Sequence, residues 1–193
     1  ITMFSRPFSI KEPNIVEFDY YTRQTKISEI RTYIDSAYQS MNKPNYDEYI
    51  DVDNFIDYFI IQEITKNVDI NYSSVYMYKA DGGKLKMGPL WDFDISMGNG
   101  DYYQYQPYGY KATENIFLNK LLDSEAFRTR YIQRMKEVIN MYGDIFKENL
   151  TKMYFLISEA ALANFERWQI LGYYDWQNPP EMVQANTHLK QYT

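Results

Sequence analysis

The sequence predicts a mainly helical α+β fold in which helices surround one short antiparallel β-hairpin. Two observations predict it. Apolar residues recur at helical spacing over residues 26–41, 51–68 and 113–168. Between them, residues 72–79 and 84–91 alternate about the turn ADGGK and read as paired strands. A third observation gives the hairpin its interest: Asp69 precedes it, and Asp92 and Asp94 follow it, within the stretch GPLWDFDISMGNG. Carboxylates set beside Trp91, Phe93 and Ile95 need a cation, a metal or donor hydrogens as compensation.

Taken in order, residues 1–24 carry two prolines and alternate weakly, so they read as an extended lead-in. Ile27, Ile30, Tyr33, Ile34 and Ala37 define the first helix, which Asn42 and Pro44 stop. The second helix is capped by Asp51 or Asp53 and carries a stripe of Val52, Phe55, Phe59, Ile60, Ile64 and Val68. Asn67 and Asp69 mark its end. Val75 and Met77 face opposite Tyr76 and Tyr78 in the first strand, and Gly82 and Gly83 supply positive φ at the turn. Residues 97–110, rich in glycine and tyrosine, read as a long loop whose Tyr102, Tyr103, Tyr105, Tyr108 and Tyr110 more often pack over the domain than form a sugar- or peptide-binding surface. Helices follow over 113–122, 124–141 and 145–168, the last with apolar positions Leu150, Met153, Tyr154, Ile157, Ala160 and Ala161. Pro179 and Pro180 precede a short terminal helix.

A chain of 193 residues suffices for one well-cored domain, with 45–170 as the core of a single unit spanning 1–193. The formal charge of −6 argues against a nucleic-acid-binding face. No apolar run approaches the about 20 residues that span a bilayer. Cysteine is absent, which excludes disulfides and thiolate chemistry, and the single histidine, His188, excludes multi-histidine metal sites. Chemistry here therefore rests on carboxylates, with an oxygen-ligated metal as the natural companion. The 21 tyrosines suit partly wet surfaces and contacts with carbohydrate or protein.

Taken alone, a D-x-D after a strand is a turn whose carboxylates accept backbone N–H groups. The wider block points elsewhere. Helix, Asp69, hairpin, Asp92 is the order of kinase-like catalytic lobes, although H-R-D and D-F-G are both absent. The segment NVDINYSSVYMYKADGGKLKMGPLWDFDISMGNG resembles the core of the spore-coat-protein-H (CotH) kinase family. Its features are Asn67 and Asp69, then Tyr78 and Lys79, then Gly88-Pro89-Leu90-Trp91-Asp92-Phe93-Asp94 with Gly98 and Asn99.

The resemblance implies a kinase-like C-terminal lobe whose hairpin carries the active-site aspartates, with phosphate transferred from ATP to Ser/Thr of an extracellular or spore-coat protein. In it Asp69 is the catalytic aspartate and Asp92 the ligand for Mg²⁺ or Mn²⁺. Asp94, two residues on in an extended segment, shares that face as a second ligand or an anchor. Trp91 and Phe93 wall the site. Many family members carry Asn where this chain has Ser74, so metal binding falls to Ser74 through its hydroxyl or to Asn71 nearby. No phosphate-covering glycine loop or strand lysine precedes Asp69. Residues 1–193, opening on Ile1, are thus expected to be a fragment of a longer protein, inactive alone. The resemblance also implies a protein substrate, a location outside the cell, at its surface or in the spore coat, and links to polysaccharide or surface assemblies. A pseudokinase module that binds glycan or protein partners is the alternative.

Overall fold

The computed structural model describes residues 2–4, 6–71, 73–97 and 108–169. The expectations for Gly98, Asn99, Tyr102, Tyr103, Tyr105, His188 and the terminal helix lie outside them. Among the described residues the fold is mainly helical, with two small antiparallel hairpins. The first pairs β1 (Thr2–Met3) with β2 (Arg6–Pro7). Helix α1 (Tyr20–Ser40) begins inside the stretch expected to be extended. Its start is fixed by Asp19, whose carboxylate accepts from the N–H groups of Tyr21 and Thr22 and so satisfies two free donors of the first turn.

Helix α2 (Val52–Thr65) is the centre of the molecule. Asp51 caps it by accepting from the Asn54 N–H, and Val52, Phe55, Ile56, Phe59 and Ile60 are buried. Ile64, expected in the same stripe, is on the open side at 37% exposure. The hairpin of β3 (Met77–Tyr78) and β4 (Lys86–Met87) is shorter than the alternation suggests, with register Met77↔Met87 and Tyr78↔Lys86. Only Gly82 in its turn takes positive φ, at 67°; Gly83 does not, and its N–H closes the turn on Ala80 O. A parallel bridge between Ile50 and Leu85, with Asp51 N–H on Leu85 O and Leu85 N–H on Tyr49 O, lays β4 beside the entry to α2. Asn54 completes the junction: its amide exchanges two hydrogen bonds with the Met87 backbone, at 3.1 and 2.7 Å. The hairpin is thus fastened to the helix through both main chain and side chain.

Helix α3 (Ile116–Leu121) buries Phe117, Leu118 and Leu121 against this centre. Helix α4 (Glu125–Arg167) replaces the two helices expected over 124–168 and runs through Gly143 without a break. A glycine in a helix costs about 0.5–1 kcal/mol relative to alanine, too little to stop a segment otherwise free of helix breakers. Phe127 and Tyr131 pack into the core, and Arg130 and Arg134 pair with Asp53 and Asp57 of α2, each at 2.8 Å. Farther along, Ile139, Tyr142, Phe146, Leu150, Met153, Ile157 and Trp168 are 40–56% exposed, so these apolar positions line an open face.

Candidate functional site

The site is assembled where α2 ends. Lys66 takes a left-handed conformation, φ 51°, and its N–H reaches the carbonyls of Gln62 and Glu63, which stops the helix sharply. The chain then forms a 3-10 turn, Val68–Asn71, with Val68 and Ile70 buried and Asp69 half-buried between them. Asn67, 2% exposed, accepts from the Asp69 N–H through Oδ1 at 3.1 Å. From the opposite side Asn115 Nδ2 donates to Ile70 O at 2.9 Å. With its amide nitrogen turned to Glu114 O and its oxygen to the Arg6 guanidinium, the orientation that satisfies both, Asn71 makes contacts of 3.0 and 2.9 Å. The backbone around Asp69 is therefore pinned on both sides. Its carboxylate forms no hydrogen bond or ion pair with the described residues.

The second acidic loop leaves β4 through Gly88, whose φ of 130° strongly favours glycine. Trp91 is 56% exposed and Phe93 half-buried. Asp92 adopts φ 62° and Ser74 φ 57°, and the Ser74 hydroxyl donates to Asp92 Oδ2 at 2.9 Å. Asn67 Nδ2 donates to the Asp92 carbonyl at 3.4 Å. Beyond it, Ser96 closes a turn on Phe93 O, and the Met97 N–H reaches Thr65 O at 2.6 Å. The loop is thus strapped to the end of α2. Because Asp92 is left-handed and a turn follows at Asp94, this segment is not extended, and the shared-face argument for Asp94 does not hold. Asp94 is exposed on the same loop.

Among the described residues no group of three or more His, Cys, Asp or Glu side chains could hold a metal ion. A closed carboxylate cage is therefore not formed by them. What the loops do offer is one carboxylate, Asp92, in direct contact with one hydroxyl, Ser74. That donor set fits a hard divalent cation that takes its remaining ligands from phosphate oxygens and water, as magnesium commonly does. Asn71 lies at the end of the same 3-10 turn as Asp69, with its amide directed at Glu114 O and the Arg6 guanidinium.

Sequence reasoning took Asn67 only as a letter in a motif and did not single out Asn54 or Asn115. Each uses its amide to satisfy backbone groups of a distant segment, 25, 33 and 45 residues away. Asparagine just past a helix or at a helix start signals local capping. It carries no mark of which distant strand or loop it will meet.

Fold and site together define a mainly helical α+β protein that presents two acidic loops at one helix end. A family model described as CotH kinase protein matches residues 7–192. The chain belongs to the CotH kinase family, which carries a kinase-like function. No curated protein and no solved structure matches it.

Proposed function

We propose that this chain forms the C-terminal catalytic lobe of an atypical protein kinase. It transfers the γ-phosphoryl of ATP, with Mg²⁺ or Mn²⁺, to Ser or Thr hydroxyls of a protein in a spore coat or at a cell surface. The observation that carries this is the placing of an Asp69 carboxylate that no described residue engages, together with the Ser74–Asp92 oxygen pair, on two loops strapped to one helix end. Phosphoryl transfer asks for positioning and charge neutralisation more than for covalent help.

In this reading Asp69 accepts a hydrogen bond from the acceptor hydroxyl and takes its proton as the new O–P bond forms. The bond from the γ-phosphorus to the bridging oxygen breaks, and ADP leaves with that electron pair. Asp92 and Ser74 would hold the divalent cation, which supplies charge neutralisation on the phosphate oxygens. Family membership supports the coat or surface location. No helix among the described residues is long and apolar enough to cross a membrane.

Tyr108 and Tyr110, 83% and 77% exposed rather than packed down, favour a second reading as a non-catalytic module that binds glycan or protein. Calorimetric titration of the native full-length protein separates the two. The kinase reading expects a non-hydrolysable ATP analogue to bind only with Mg²⁺ or Mn²⁺, at least tenfold more weakly in Asp92→Asn. Absence of nucleotide binding, together with binding to cell-wall polysaccharide, would establish the module instead.

A further inference from the structure

Asn67 touches both acidic loops. It is 2% exposed, so both ends of its amide need partners within the protein. Oδ1 accepts from the Asp69 N–H, and Nδ2 donates to the Asp92 carbonyl 25 residues away. One planar side chain thus bridges the backbone of the residue before the hairpin to that of the residue after it. Asparagine alone combines a donor and an acceptor at this length: aspartate lacks the donor, and glutamine places the amide one methylene farther out.

The backbone around the bridge is strained in a way that needs such a tie. Of the five non-glycine residues with positive φ among the described residues, four are Lys66, Ser74, Asp92 and Met97. Lys66 ends α2, Met97 straps the second loop to Thr65, and Ser74 and Asp92 are the hydrogen-bonded pair between the two loops. Left-handed conformations cost roughly 1–2 kcal/mol each for most side chains and persist where surrounding contacts over-determine them. Asp92 is held at its carbonyl by Asn67 and at its carboxylate by Ser74. Releasing the first contact frees the residue to leave the left-handed region, and its carboxylate would turn with it.

We propose that Asn67 is a positioning residue that couples the two acidic loops: it fixes Asp92 for cation binding at the distance Asp69 requires. This inference rests on the phosphoryl-transfer reading above. The test compares native protein with Asn67→Asp and Asn67→Ala, by Mn²⁺ titration in the presence of a non-hydrolysable ATP analogue and by amide hydrogen exchange without metal. Asn67→Asp keeps the acceptor for Asp69 and loses the donor to Asp92. It should therefore leave exchange at the Asp69 amide unchanged while raising the Mn²⁺ concentration for half-saturation about tenfold, the usual effect of losing a support behind a metal ligand. Asn67→Ala should raise that concentration as far and also accelerate exchange at Asp69.

Native-like Mn²⁺ titrations in both variants would overturn the proposal. If Asn67→Ala does not fold, Asn67→Asp decides alone. If the native protein binds no metal–nucleotide, the phosphoryl-transfer reading fails and the positioning role fails with it. Binding by native protein that Asn67→Asp leaves intact sinks the positioning role alone.

Discussion

Ser74 and Asp92 sit in left-handed backbone, and this constrains what can replace them. Asparagine and aspartate tolerate that region better than other non-glycine residues, while β-branched residues do not. Ser74→Asn should therefore keep the fold and its melting temperature, whereas Ser74→Val should lower stability by about 1–2 kcal/mol, both read by thermal unfolding. A melting temperature for Ser74→Val equal to the native one would show that the loop relaxes freely. The same reasoning makes Asp92→Asn a cleaner probe than Asp92→Ala, because it keeps an acceptor for the Ser74 hydroxyl while removing the charge. At this scale the sequence singles out Asp69 and Asp92 because they bracket the hairpin, and Ser74 because it stands where the family resemblance places Asn. The Asn67 bridge is not legible, since it joins residues 25 apart across a loop that passes through a φ of 62° at Asp92, which no local pattern announces. The i, i+2 inference for Asp94 assumes extended chain and fails for the same reason.

The N-terminus of α2 joins local capping to the placement of the hairpin. Asp51 accepts from the Asn54 N–H and pairs with Lys86 of β4 at 3.2 Å. These contacts, the Asn54 bond foremost, hold its carboxyl below the usual carboxylate range against the opposing effect of burial. A depressed carboxyl stabilises the fold above its unfolded pKa and loses that contribution as pH falls through the lower folded value. Asp51→Ala should therefore cost about 1 kcal/mol at pH 7, with the difference from native shrinking as pH is lowered towards 2, read by urea denaturation. A difference that stays constant with pH would show that the charge has no part in the cap. Along α4, Gly143→Ala should stabilise by about 0.5–1 kcal/mol, since an added Cβ meets nothing nearer than the Ile139 methyl at 4.0 Å. Loss of stability there would mean that residue 143 is a hinge, as the expectation of two helices implied. That expectation erred because a single glycine resembles a boundary in sequence, while continuous hydrogen bonding on both sides outweighs its cost.

The whole molecule has an uneven distribution of stability built into it. The centre of α2, the hairpin entry, α3 and the first turns of α4 share one core, whereas beyond Val138 no residue of α4 is buried. The apolar positions Ile139, Tyr142, Phe146, Leu150, Met153 and Ile157 follow 3-4-4 spacing, an 11-residue repeat that keeps the stripe nearly straight along one side of the helix. Periodicity made this stripe legible as a helix face. It could not tell whether the face packs within the chain, because that depends on where neighbouring elements end. In the described residues α4 simply outruns them. Amide exchange should find residues 125–138 protected close to the global limit and 142–167 opening at far lower free energy. Equal protection along α4 would mean that the distal face is covered. Whether the two loops at the end of α2 form a phosphoryl-transfer site is read from phosphate transfer from ATP to a protein acceptor. The assay uses the native full-length protein, Asp69→Asn and Asp92→Asn, each with and without Mg²⁺ or Mn²⁺. Transfer should depend on the metal and fall at least a hundredfold in both variants, a loss of about 2.7 kcal/mol or more of transition-state stabilisation; undiminished transfer in either variant would show that these aspartates do not form the site.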